Sequence, residues 1–229
     1  MLAHPPSLTH LTRAPLVFPP PGARAPLLLL LHGVGSNEHD LFDLADSLDD
    51  RFFVISARAP IMLGPGAFGW YPVAFTPQGP VGDPAQAEQS RLALVGFVDE
   101  AVAAYSLDPA RVYLMGFSQG AIMSLYVALT APKIVAGIVP MSGRLLPEAW
   151  AARAPDDALA GLPVFAVHGT RDTVLPVSEG RAVRDALSRL PVNLTYREYD
   201  MAHQVTAESL SDIAAWLTAR LDERGQPEP

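Results

Sequence analysis

Apolar residues along this chain come in short unbroken runs separated by longer stretches of mixed character. The runs are Leu27–Leu31, Phe52–Ser56, Arg111–Met115, Ile134–Pro140, Pro163–His168 and Asn193–Tyr199. Runs of this length without a polar face predict strands covered on both sides. Between them the spacing of apolar positions changes to that of helices, over Glu38–Leu48, Gln86–Tyr105, Gln119–Thr130, Val177–Leu190 and Thr206–Leu221. Val183, Leu187 and Leu190 fall on one face of the fourth, and Leu210, Ile213, Leu217 and Leu221 on one face of the last. Thr206 is a suitable N-cap for that last helix. Strands alternating with helices predict an α/β fold around a mostly parallel sheet, in one domain spanning residues 1–229.

Two stretches break the alternation. Residues 57–84 are rich in Pro and Gly yet carry Leu63, Phe68, Trp70, Tyr71 and Phe75. A long connection with so much apolar side chain is a lid or substrate-binding loop, or a satellite core folded over the sheet edge. Residues 141–162 form the second long connection, with Trp150 its only large aromatic. The Pro-rich first 22 residues leave room for an edge strand near Leu8–Thr12 and another near Leu16–Phe18, and residues 224–229 read as a frayed tail.

Composition narrows the function. At 229 residues and 49% hydrophobic content the chain can bury a sizeable core. A formal net charge of -8 makes nucleic acid and anionic membrane poor partners. The absence of cysteine removes disulfides, thiolate nucleophiles and Cys-ligated zinc, and fits a cytoplasmic location. Leu27–Leu31 is too short to span a bilayer and lacks the flanks of a signal peptide, so no stable membrane association is expected.

The chemistry starts at Gly116-Phe117-Ser118-Gln119-Gly120, a G-x-S-x-G pattern that closes an apolar strand and opens an apolar helix. A sharp turn there holds the Ser in a strained conformation, and the flanking glycines let strand and helix pass closely. The hydroxyl then projects at the C-terminal edge of the sheet, where helix N–H groups can meet an oxyanion. The bland reading is a Gly-rich turn with a solvated Ser.

A Ser nucleophile needs a base, and the base an orienting acid, in the chain order Ser, acid, His. Only His168 and His203 follow Ser118. His168 ends a strand before Gly169 and suits a turn-shaping role, whereas His203 lies in the loop before the last helix. Asp172, just past the strand ending at His168, is the first choice of acid; Asp200 is the runner-up, and Asp156 and Asp157 read as solvated. Oxyanion donors are expected from the backbone N–H of Gln119 and of Val34, the latter in the turn His32-Gly33-Val34-Gly35. That turn lacks the spacing of a nucleotide-binding loop.

These pieces resemble the phospholipase/carboxylesterase branch of the α/β-hydrolase superfamily, which holds acyl-protein thioesterases and small bacterial carboxylesterases. The matching segments are LLLLHGVGSNEHDL (28–41), GFSQGA (116–121), HGTRDTVLP (168–176) and AHQVTAES (202–209). The resemblance implies the α/β-hydrolase fold, a triad of Ser118, Asp172 and His203, oxyanion donors at Val34 and Gln119, and an aromatic pair near the acyl site at Trp70-Tyr71. Many thioesterases of the branch read GFSQGG and carry an Asp after HG-x-G; Ala121 and Ser36-Asn37 depart from this, toward the carboxylesterase side.

The expected activity is hydrolysis of small uncharged carboxylic esters through an acyl-enzyme, with no metal and no organic cofactor, by a monomer or homodimer. Trp70, Tyr71, Leu63, Phe75 and Leu175 are expected to form the substrate pocket, with Trp70 setting the acyl-length limit or only packing the loop on the sheet. The rivals are a thioesterase or lysophospholipase acting on long acyl chains, and a non-catalytic binder on the same fold.

Overall fold

The computed structural model describes residues 5–76 and 79–223, without the side chains of residues 75, 79 and 80. The sequence reading of the 224–229 tail therefore falls outside the described residues. The main sheet has seven strands in the order β1-β3-β2-β8-β9-β10-β11. They are β1 (His10–Arg13), β2 (Leu27–Leu31), β3 (Phe53–Ala57), β8 (Val112–Phe117), β9 (Gly137–Met141), β10 (Pro163–Gly169) and β11 (Asn193–Tyr199). Only β1 runs antiparallel, against β3; every other pairing is parallel.

The five leucines of β2 show why the apolar runs are unbroken. All five are fully buried, but Leu27, Leu29 and Leu31 join one core layer while Leu28 and Leu30 join the other. A central parallel strand is covered on both faces, so period-two alternation has no solvent side to mark. Helices α1 (Pro84–Ala104), α2 (Gln119–Thr130) and α5 (Val177–Leu187) pack on the first face. Helix α6 (Ala207–Glu223) and a 3-10 turn at Phe42–Ser47 pack on the second. Ile213, Leu217 and Leu221 of α6 are buried there as its periodicity predicts, with Leu210 half-buried at the margin. Thr206 caps α6 in a reciprocal box: its N–H meets Ser209 Oγ at 3.0 Å and its hydroxyl takes the Ser209 N–H at 3.3 Å.

Several expectations are corrected. Strand β11 is an edge strand whose residues alternate between exposed and half-buried, so it is not covered on both faces. Leu16–Phe18 forms no strand; Leu16 and Val17 donate to the Asp50 carbonyl, and all three side chains are exposed. Proline at position 15 and at 19–21 removes the ladder donors on both sides. The helix expected over Glu38–Leu48 shrinks to the 3-10 turn, because Glu38 turns inward to the Arg58 guanidinium and Asn37 reaches the Gly66 carbonyl.

The 57–84 connection folds into two antiparallel hairpins. One pairs β4 (Ile61–Gly64) with β5 (Ala67–Gly69), and the other β6 (Val73–Thr76) with β7 (Gly79–Gly82). A bridge between Ser36 and Phe68 anchors the first beside the turn after β2. The second long connection carries the short helices α3 (Pro147–Ala151) and α4 (Asp156–Leu159).

Candidate active site

The parallel strands all end at one edge of the sheet, and the candidate residues collect there. Ser118 sits between β8 and α2 at φ 55° and ψ -115°. For a residue with a Cβ this is a strained conformation, and strain of this kind survives only where the surroundings enforce it. Here they do. A Cβ on Gly120 would stand 1.9 Å from the Leu31 carbonyl oxygen, and one on Gly116 would stand 2.2 Å from the Gly120 oxygen. Glycine at both positions lets β2, β8 and α2 converge and turns the Ser outward.

Ser118 Oγ lies 2.9 Å from His203 Nε2, and His203 Nδ1 lies 2.6 Å from Asp172 Oδ2. Asp172 is an acceptor with nearly all its capacity used. Its Oδ1 takes the backbone N–H groups of Val174 and Leu175, both at 2.9 Å. With Asp172 accepting at Nδ1, the His203 ring carries its proton there and offers a lone pair at Nε2 to the Ser hydroxyl. The Phe117 ring tilts against the imidazole at 4.8 Å and limits its rotation.

The alternatives separate cleanly. Asp200 is exposed and paired with Arg171 at 2.6 Å, away from His203 Nδ1. Asp156 and Asp157 are exposed in the first turn of α4. His168 does shape the turn: its Nε2–H donates to the Leu175 carbonyl at 2.8 Å, spanning the loop that holds Asp172, and stands 3.6 Å from Asp172 Oδ2.

The expected oxyanion donors also converge. Gln119 is the first residue of α2, where N–H groups lack intrahelical partners. Val34 and Gln119 line one small cavity with Ser118, of about 40 Å³. The turn carrying Val34 presses on Ser118, since a Cβ on Gly33 would lie 3.3 Å from Ser118 Cβ. Buried His32 braces that turn, donating from Nδ1 to the Gly33 carbonyl at 2.7 Å and accepting the Ala59 N–H at Nε2 at 3.0 Å. Burial holds its pKa below the ordinary histidine value of 6.5 and keeps the ring neutral.

The substrate-pocket expectations divide. Tyr71 and Leu175 line the Ser118 cavity. Trp70 does not: it is fully buried, tilted against the His32 ring, with its indole N–H on the His32 carbonyl at 3.0 Å. Leu63 is 43% exposed and outside the cavity wall. Hairpin pairing turns both away, Trp70 into the core and Leu63 toward solvent. The Phe75 side chain lies outside the described residues. Burial raises the Tyr71 phenol to about 12, with the facing Arg144 guanidinium opposing the shift.

A side-chain role for Gln119 and a further residue, Arg144, went unflagged by spacing, and both shape this pocket. The Gln119 carboxamide accepts the Trp70 N–H and donates to the Tyr71 carbonyl, both at 2.7 Å, clamping the hairpins to the elbow. Arg144, three residues past the end of β9, also lines the Ser118 cavity. Its signal was available: it follows a predicted strand at the same sheet edge.

A family model described as Phospholipase/Carboxylesterase matches residues 13–221. The chain belongs to this family. It is a carboxylic ester hydrolase of the serine hydrolase type on the α/β-hydrolase fold. Acyl-protein thioesterase 1 of Gibberella zeae is 26% identical over 227 residues, covering 91% of this chain and 96% of that protein. Its counterpart from Eremothecium gossypii is 36% identical over 125 residues, 52% of each chain. Among solved structures, esterase PE8 superposes with a TM-score of 0.76 at 28% identity, covering 93% of this chain and 98% of that one. The Bacillus cereus carboxylesterase gives 0.78 at 24% identity over 93% and 95%, which speaks to fold alone.

Proposed function

We propose that this family member is a carboxylesterase for small carboxylic esters, with Ser118 as nucleophile, His203 as general base and then acid, and Asp172 as the orienting carboxylate. The observation that carries the reading is the unbroken hydrogen-bonded chain from Ser118 Oγ through His203 to Asp172. Ser118 attacks the ester carbonyl as its proton passes to His203 Nε2. The Val34 and Gln119 N–H groups hold the oxyanion, and the imidazolium is stabilised by Asp172. Collapse breaks the C–O bond, and the leaving alkoxide takes the proton from His203. Water, deprotonated by His203, attacks the acyl-enzyme; the second collapse releases the acid and returns the proton to Ser118.

The small cavity beside Ser118 favours short acyl groups. A second reading, hydrolysis of longer acyl esters or thioesters, draws support from a larger cavity of about 270 Å³ that shares Tyr71 and Arg144 as walls with the first. An acyl-length series of chromogenic esters separates the two, since a long-chain enzyme peaks well beyond butyrate. Replacing Ser118 with Ala should cost about 10³-fold or more in turnover and abolish fluorophosphonate labelling while the melting curve holds. Activity within tenfold of wild type removes Ser118 from the mechanism.

A further inference from the structure

The Ser118 cavity is walled by apolar groups, Val34, Val73, Ile122, Val174 and Leu175, with one cation among them, Arg144. The other half-buried arginines of the described residues are Arg13, Arg51, Arg58, Arg91, Arg111, Arg184 and Arg220, and each has a carboxylate within 4.0 Å. Arg144 differs: among the described residues no carboxylate lies within ion-pair distance of it. Its described neighbour is the neutral Tyr71 hydroxyl. A guanidinium partly withdrawn from water beside apolar walls gains from an anion that meets it.

Two carboxylates, Asp83 and Glu148, line the larger cavity together with Arg144, and neither lies within ion-pair distance of it. Asp83 is engaged as the N-cap of α1, accepting the Ala85 N–H at 2.9 Å and the Gln86 N–H at 3.2 Å. Glu148, in the first turn of α3, faces the same larger cavity. Among the described residues, Arg144 is the only charged wall residue on the Ser118 side.

We propose that Arg144 is a substrate-binding residue that selects esters carrying a carboxylate a few bonds from the scissile carbonyl. This rests on the esterase reading and deepens it, adding one negative charge to the uncharged ester expected from sequence. The planar guanidinium suits a carboxylate by two parallel N–H···O bonds, and the apolar walls strengthen that pairing. The anion replaces the missing counter-charge, and its pairing aligns the carbonyl with Ser118.

The test uses matched pairs of esters. On the acyl side these are mono-para-nitrophenyl succinate and the neutral para-nitrophenyl isohexanoate of similar shape. On the alcohol side they are para-acetoxybenzoate and its methyl ester. For at least one pair, Arg144→Met should lower the anionic-to-neutral ratio of kcat/KM about tenfold or more. Arg144→Lys should restore part of it, and added salt should erode the wild-type preference. Glu148→Gln should not lower the ratio. The proposal is overturned if the wild type rejects both anionic esters, if Arg144→Met leaves both ratios unchanged, or if Glu148→Gln lowers the ratio as much as Arg144→Met. Calorimetry on the Ser118→Ala protein separates this from the esterase reading. That protein should bind the anionic ester of at least one matched pair more tightly than its neutral partner whether or not the wild type turns esters over, and equal affinity within both pairs overturns the proposal.

Discussion

The two sides of the pocket are built in opposite ways. The strand-end side, with the Ser118 elbow and the Asp172 loop, grows directly from the central sheet. Its geometry is enforced by backbone contacts that admit no Cβ at Gly116 or Gly120, and by donors that occupy the Asp172 carboxylate. The other side, the paired hairpins β4–β5 and β6–β7, is a local fold fastened by one backbone bridge between Ser36 and Phe68 and by a few side chains. These side chains include the Gln119 carboxamide, the Asn37 carboxamide on the Gly66 carbonyl, the Trp70 indole on His32, and Ser90 Oγ donating to the Trp70 carbonyl. The candidate reacting groups thus rest on the central sheet itself, while the facing wall hangs on one backbone bridge and a few side-chain contacts.

Damage to the first side should act on chemistry more than on stability. Asp172→Asn should cost about 10³- to 10⁴-fold in kcat, because an amide at that position favours the wrong tautomer of His203. Asp200→Asn, at an exposed ion pair, should stay within a fewfold of wild type. If the second change is the crippling one, the acid is misassigned.

Damage to the second side should do the reverse. Trp70 is fully buried, so Trp70→Ala should destabilise by about 3–5 kcal/mol, the usual range for such a cavity. Acetate, butyrate and octanoate esters should then slow together. A selective gain for octanoate would return Trp70 to the acyl pocket wall, against its place in the core.

Gln119→Leu tests the clamp between the two sides. It leaves the Trp70 N–H and Tyr71 carbonyl without their partner, about 1–3 kcal/mol each when buried. Amide exchange over residues 61–76 should quicken, and kcat/KM should fall about tenfold through KM more than kcat. Unchanged exchange there would show that the hairpins hold without Gln119.

The smallest effect concerns His32. Its folded pKa lies below 6.5, so between the two values the unfolded chain binds a proton that the folded chain refuses. Stability from this group is complete above pH 6.5 and is lost as pH falls toward the folded value. His32→Gln should flatten that part of the melting-temperature profile. A wild-type profile level below pH 6.5 would contradict the neutral brace.

The sequence by itself determined the central strands and the candidate constellation, because both follow from local rules. A strand covered on two faces must be apolar throughout, as β2 is, and an elbow must have glycine where helix and strand meet. Parallel α/β order then delivers every strand-end loop to one edge, so Ser118, Asp172 and His203 had to gather there once the strands were placed. Only the tertiary structure decided the pocket wall. Gln119 meets Trp70 across 49 residues of chain, Trp70 turns inward because its hairpin docks on the turn after β2, and Arg144 reaches the Ser118 cavity with no carboxylate within ion-pair distance among the described residues. Apart from Arg144's place just past a predicted strand, none of these leaves a local pattern. Each depends on which surfaces the folded sheet brings together, and composition and periodicity carry no record of that.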